Sequence, residues 1–440
     1  MISSPYAERA RPYYLETGTR PPRRLIWAVA LVKAAAARAN AALGLLDAEV
    51  ARAIEEAALE VARGEHDSEI VVDVYQTGSG TGLNMNVNDV VAAIASRRLG
   101  RPVHPNDHVN MSQSSNDVVP TALRLALLAA VAEELASAVR SLVSALRAKE
   151  AEAGDIVRPG RTHLRDALPI TFGQQLEAYA HMLERDLDVV LRVADALREV
   201  PLGGTAVGTG ANTRQGYSSL AVRELGRLSG YELREPPSKS ALMRSLADVA
   251  ALSGALRSLA LDILRISNDL RLMNSGPNTG LAEVEIPVDV PGSSMMPGKR
   301  NPVTLEAVNQ AAAQVMGLDA AVAWGASLGE LELNMGMTVV AYSALKEVEL
   351  LAEMSRKLEM AVRSLRPRRE RMESLAAASQ ALVTYMSPYI GYDAASRVAE
   401  QLAAGRQLEE ALREVVKDEG LARKLAGLLA DIRKLTGPQP

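Results

Sequence analysis

Apolar residues at helical spacing dominate this chain. Between residues 25 and 63, Leu25, Ala28, Leu31 and Val32 share one stripe, and Leu43, Leu46, Val50, Ile54 and Leu59 continue an apolar face. That recurrence predicts amphipathic helix. Residues 117–150, rich in alanine and leucine, predict another, with charges at Arg124, Glu133, Glu134, Arg140 and Arg147. Further long helices are predicted over about 170–199, 239–274, 302–332 and 338–365. All far exceed the average helix of about 11–12 residues. Helices this long and this apolar need partners on several sides, so the pattern points to a bundle shared between subunits.

Polar, glycine-rich and proline-rich segments interrupt the helices at 76–89, 101–117, 160–169 and 292–302, with a glycine-threonine segment at Gly203–Thr213. A charged stretch, Arg366–Arg371, contains Pro367 and marks a boundary before a smaller C-terminal part. The expected division is an N-terminal domain at 1–111, a central helical domain at 112–367 and a small domain at 368–440.

Composition narrows the picture. Aromatic residues make up only 3% of the 440, with Phe172 the single phenylalanine, so the core must be built from Ala, Leu, Val, Ile and Met. Such a core suits close helix packing better than a β-sandwich. The fold class expected is mainly α. The net charge of −4 is spread along the chain, which argues against a nucleic-acid surface. The absence of cysteine excludes disulfides, thiolate nucleophiles and cysteine-ligated metals. Residues 1–24 have no apolar signal core, and Lys, Arg or Glu break the longest apolar runs. The expectation is a cytoplasmic protein with no membrane span.

The interruptions carry the chemistry. In Gln76-Thr-Gly-Ser-Gly-Thr81, spaced glycines free backbone amides for an anion, and Ser79 and Thr81 add hydroxyls. A flexible connector is an equally good reading of that segment alone. Ser114, Ser115 and Asn116 precede a long helix, either as simple caps or as a carboxylate site at its N-terminus. His104 and His108 are four apart, but Pro105 opposes a helix there, so no metal site is expected. His163 lies in a polar break before a helix, between Thr162 and Asp166, which suits an acid–base group. The segment Gly292-Ser-Ser-Met-Met-Pro-Gly-Lys-Arg-Asn-Pro302 places two hydroxyls, an ammonium, a guanidinium and an amide among glycines and prolines. Glu306 follows on the next helix, where its charge also suits the helix dipole. Together these describe a site for a small polyanion, worked by proton transfer.

The 292–302 segment resembles the signature of the fumarase/aspartase superfamily. Within it the chain is similar to the class II fumarate hydratases, on Gln76–Thr81, Asn84–Asn88, His104–Asp107, Gln113–Asp117, Gly160–His163 and Gly203–Gly210. The resemblance runs from about residue 25 to Asp393. It implies a homotetramer whose central domains form a twenty-helix bundle, each site drawing loops from three subunits, with no cofactor and no metal. It implies that Ser79, Gly80, Thr81, Ser114, Ser115 and Asn116 hold the carboxylates of a fumarate or malate substrate, completed by Thr162, Ser294, Lys299, Arg300 and Asn301. Ser293 would remove the C3 proton of malate, Lys299 and Asn301 would stabilise the aci-carboxylate, and His163, oriented by Glu306, would activate water at C2. Arg101, His104, Pro105, Asn106 and Asp107 match a second anion site.

The sequence departs from the family pattern in places. Gly82-Leu83 replaces the usual Gln-Ser, Arg300 stands where an uncharged residue is usual, Asn278 replaces an arginine, and His108 is more aspartase-like. The alternatives are an aspartate ammonia-lyase and an inactive structural relative like the lens crystallins. The first usually has glutamine at the position of His163, and the second is expected to have lost an active-site group.

Overall fold

The computed structural model describes residues 4–438. The fold is mainly α, and its strands, among the described residues, form three two-stranded sheets. The chain gathers into two compact units. One comprises the described part of Met1–Val139 with Arg185–Leu261 and Gln310–Met354; the other comprises Arg140–Glu184, Asp262–Asn309 and the described part of Ser355–Pro440.

In the first unit the predicted 25–63 helix is two helices, Arg23–Ala42 and Ala48–Arg63. The break follows from local chemistry that the apolar stripe hides. Gly44 takes φ +69°, and Asp47 caps the second helix by accepting the Glu49 and Val50 amides, both at 3.1 Å. Arg23–Ala42 is long and apolar enough, by length and composition, to cross a membrane, yet 78% of its apolar window is buried inside the protein. It packs against Ala48–Arg63, Ser115–Ala130 and Tyr217–Ser229. Of the two charges that interrupt its apolar run, Lys33 and Arg38, Lys33 is itself fully buried.

Ser115–Ala130 opens with a capping box: Ser114 Oγ accepts the Asn116 amide, and Asp117 reaches back to the Ser114 amide at 2.9 Å. A single π-helical turn, Val131–Leu135, joins it to Ala136–Ala153, so the 117–150 prediction is met with one irregularity. Arg124, wholly buried, holds Asp248 through two hydrogen bonds of 2.7 and 3.0 Å. This fork fastens Ser115–Ala130 to the start of Ala247–Met273.

The second unit holds the one substantial sheet, the hairpin Val157–Thr162 with Arg165–Thr171. Sequence reading gives only a polar break at 160–169; the structure makes it β. Its residues 382–435 carry an apolar cluster of their own, centred on Met386, Val398, Leu412 and Leu425.

Candidate active site

Two of the polar segments meet in the first unit. Gly80, at φ +76°, is the N-cap of Thr81–Leu99, and Val119 side-chain carbons lie 2.9 Å from where a Cβ would stand. Glycine is required there by both conformation and space. Gly78 is tighter still: a Cβ would lie 2.1 Å from the Met335 carbonyl oxygen. These glycines let the loop lie flat, so that Ser79 Oγ is 3.0 Å from Thr81 Oγ1, and Thr81 Oγ1 is 2.8 Å from Ser115 Oγ. The N-termini of Thr81–Leu99 and Ser115–Ala130 therefore present a connected row of hydroxyls, backed by two helix dipoles of the same sign.

A third segment is tied to them. Asn116 Nδ2 donates to the Ala206 carbonyl at 3.0 Å, and Asp117 Oδ2 accepts the Gly203 and Thr205 amides at 2.9 and 3.0 Å. Burial pushes the Asp117 carboxyl up to about 6, against the pull of those amides and of Lys33. Asp117 is thus a structural clamp that sequence reading left inside a motif without a role. Its signal was available: an acid three residues after a serine at a helix start is half of a capping box.

The departure at Gly82 has a local account. A Cβ there would meet Gln76 Oε1 at 2.4 Å and a Tyr14 ring carbon at 2.8 Å. Gln76 Oε1 also accepts the Leu83 amide at 2.7 Å. The carboxamide of Gln76 and the ring of Tyr14 fill the space a longer residue would need.

The proposed second anion segment is a tight π turn, Pro105–Val109, capped by His104. His104 Nδ1 accepts the Asn106 and Asp107 amides at 3.3 and 3.0 Å, and the His104 amide donates to His108 Nδ1 at 2.8 Å. Arg101 is turned to Asp47 and Glu49.

In the second unit, His163 and Leu164 form the two-residue tip of the hairpin, with Thr162 paired to Arg165. Both tip residues have positive φ, 54° and 58°, as a type I′ turn demands. Glycine and asparagine suit such a turn best; histidine and leucine do not. The tip is exposed, Leu164 by 75%. Below it Gly160 sits at a bulge, where a Cβ would lie 2.3 Å from the Leu168 carbonyl oxygen. Arg161 anchors the hairpin through Nη1, 3.0 Å from each oxygen of the fully buried Glu283, with Arg158 Nη2 at 3.6 Å.

The 292–302 loop, in the same unit, is closed into a ring. The Gly292 amide donates to the Lys299 carbonyl at 2.8 Å, and Asn301 Nδ2 donates to the Gly292 carbonyl at 2.7 Å. A Cβ at Gly292 would lie 2.6 Å from the Asn301 nitrogen, so only glycine permits the closure. Inside the ring Ser293 Oγ accepts the Met295 and Met296 amides at 3.1 and 3.0 Å. Two donors on one hydroxyl oxygen favour its ionised form. Ser294, Lys299 and Arg300 are exposed along the ring, and Glu306 lies on the first turn of Val303–Ala326.

A family model described as a lyase matches residues 6–317. A class II fumarate hydratase of Saccharolobus solfataricus is 43% identical over 436 residues, covering 98% of each chain. The solved class II fumarase of Schistosoma mansoni superposes with a TM-score of 0.96 at 31% identity, over 100% of this chain and 96% of that one. A fumarate lyase:delta crystallin of Brucella melitensis, solved with cobalt bound, gives 0.92 at 38% identity, over 99% and 96%.

Proposed function

From the premise that the chain belongs to the class II fumarate hydratase family of the fumarase/aspartase superfamily, we propose how its residues carry out the reversible hydration of fumarate to (S)-malate. The observation that carries the reading is the hydroxyl row formed by Ser79, Thr81 and Ser115 at two helix N-termini. Such a row binds a carboxylate through hydroxyls and the free backbone amides of two helix N-termini. Gly80, Ser114 and Asn116 belong to the same site, and Thr162, Ser294, Lys299, Arg300 and Asn301 complete it.

In the dehydration direction Ser293 removes the C3 proton of malate. Serine is a poor base, and the two amides on its Oγ are what make the alkoxide accessible. Lys299 and Asn301 meet the charge that develops on the adjacent carboxylate as the aci-acid. His163, oriented by Glu306, protonates the departing hydroxyl at C2, and the reverse direction uses the same groups with roles exchanged. Arg101, His104, Pro105, Asn106 and Asp107 form a second anion site. An anion there would replace His104 Nδ1 as acceptor of the Asn106 and Asp107 amides.

The site is shared by three subunits of a homotetramer with a twenty-helix core. Supporting this, Ala313, Gly317, Ala320 and Ala323 on the Val303–Ala326 helix are exposed, and Trp324 is 76% exposed. A face that small and apolar suits close approach by another helix. The three-part division at 111/112 and 367/368 belongs to the same reading, the last part supported by the separate apolar cluster at 382–435. We place the enzyme in the cytoplasm, in the tricarboxylic acid cycle.

The test is direct. Purified protein is mixed with malate and then with aspartate, and fumarate is followed by its ultraviolet absorbance. Malate turnover is expected. Turnover of aspartate but not malate would overturn the reading in favour of an ammonia-lyase.

A further inference from the structure

Lys33 interrupts the apolar run of Arg23–Ala42, and unlike Arg38, the other charge within it, it is fully buried. Its ammonium has three hydrogens and three acceptors: Asn84 Oδ1 at 2.6 Å, Asn110 Oδ1 at 2.9 Å and Gln113 Oε1 at 2.9 Å. All are neutral carbonyl oxygens, and together they use every donor the group has. The amides of the three partners are committed in turn. Asn84 Nδ2 donates to Asn110 Oδ1, Asn110 Nδ2 to the Gln113 carbonyl, and Gln113 Nε2 to the Val109 and Met111 carbonyls. The network is closed and fixes which way each amide points.

Its members are placed for a purpose. Asn84 lies in the first turn of Thr81–Leu99, three residues after Thr81, and Gln113 immediately precedes Ser114. One ammonium therefore grips both elements whose hydroxyls meet between Thr81 and Ser115.

We propose that Lys33 is a positioning residue for substrate: through Asn84 on one side and Asn110 and Gln113 on the other, it sets the spacing of the two helix N-termini that receive a substrate carboxylate. The inference rests on the reading of Ser79–Thr81 and Ser114–Asn116 as that carboxylate site. Physical chemistry favours it over a purely structural role. A buried ammonium without a carboxylate in contact is costly, and a core position in an apolar helix is cheaper to fill with leucine or methionine. Burial does press on it, lowering its pKa to about 7, with Asp117 opposing. What the cation supplies that an apolar residue would not is a convergent set of donors. Without them three carbonyl oxygens would face one another and push the two N-termini apart.

The experiment is steady-state kinetics of malate dehydration in Lys33→Met and Gln113→Met, with Ser115→Ala as reference and an unfolding midpoint for each. Both network variants are expected to raise KM about tenfold while kcat stays within about threefold, the split produced when binding shared by ground state and transition state is lost. A folded variant with KM within twofold of the unmodified enzyme overturns the proposal, as does a fall in kcat with KM unchanged. If Lys33→Met does not fold, Gln113→Met, which leaves the ammonium two acceptors, decides. Ser115→Ala separates the two layers of the argument. If it raises KM and the network variants do not, the carboxylate site stands and Lys33 has no part in it. If it leaves KM unchanged, the site reading fails and the inference falls with it.

Discussion

Glu347 is fully buried on the Met337–Ser364 helix, and counting hydrogens decides its protonation. Ser253 Oγ lies 2.8 Å from Asp319 Oδ1 and 2.9 Å from Glu347 Oε1. A serine hydroxyl has one hydrogen for these two contacts. Arg257 pairs with Asp319 and keeps it an anion, so the serine hydrogen goes to Asp319. Glu347 must then donate its own O–H to Ser253. Burial and, after it, the nearby Asp319 charge push the Glu347 carboxyl from its ordinary 4.5 up to about 8. The folded protein thus holds this proton more tightly than the unfolded chain. The associated stability is complete below about pH 4.5 and is lost as pH rises through about 8. At about 1.4 kcal/mol per pH unit, the loss between pH 5 and pH 9 approaches about 4 kcal/mol. Glu347→Gln keeps a donor towards Ser253 and cannot ionise. It is expected to be near neutral at pH 5 and to exceed the unmodified protein by several kcal/mol at pH 9. Urea unfolding midpoints at fixed protein concentration, at pH 5, 7 and 9, measure this. A difference that does not change with pH, or that grows toward acid, would refute the reasoning.

Other outcomes follow from the two site regions. His163→Asn should lower kcat by at least about 100-fold, the usual worth of a positioned acid–base group, with the fold no less stable, since asparagine suits the turn better than histidine; near-normal turnover would remove histidine from the chemistry. Ser293→Ala should cost at least as much in kcat with little change in KM, and stopped-flow absorbance on malate would reveal a surviving step. Glu283→Ala leaves the buried Arg158 and the partly buried Arg161 without their carboxylate. A loss of about 3–5 kcal/mol is expected, read as a lower denaturation midpoint, and an unchanged midpoint would show that the hairpin has another anchor.

Much of the fold was legible because helical periodicity is written every three or four residues. What periodicity cannot register is a break made by one residue with an unusual φ. Gly44 and Asp47 split the first predicted helix although the apolar stripe runs through them. The hairpin at 157–171 was missed for a related reason. Its sequence lacks the alternation and the Asn-Gly or Asp-Gly tip that announce a hairpin; histidine and leucine stand at the tip instead. For the site, the hydroxyls of Ser79, Thr81, Ser114 and Ser115 could be read off the loops. Lys33 could not, because its importance lies in which distant carbonyls it touches; for Asp117 the cap was legible, but not the Gly203 and Thr205 amides that its other oxygen holds. A lone lysine in an alanine-rich helix was nevertheless a visible anomaly.

The tip of the hairpin has a consequence for anyone selecting variants of this enzyme. His163 and Leu164 occupy backbone geometry that glycine or asparagine would adopt at lower cost, so, with His163 as the proposed acid–base group, heat resistance and turnover are expected to pull on codon 163 in opposite directions. A library ranked only by survival after heating would drift toward glycine at 163. Its winners would be heat-resistant proteins that lack the imidazole proposed to act at the turn.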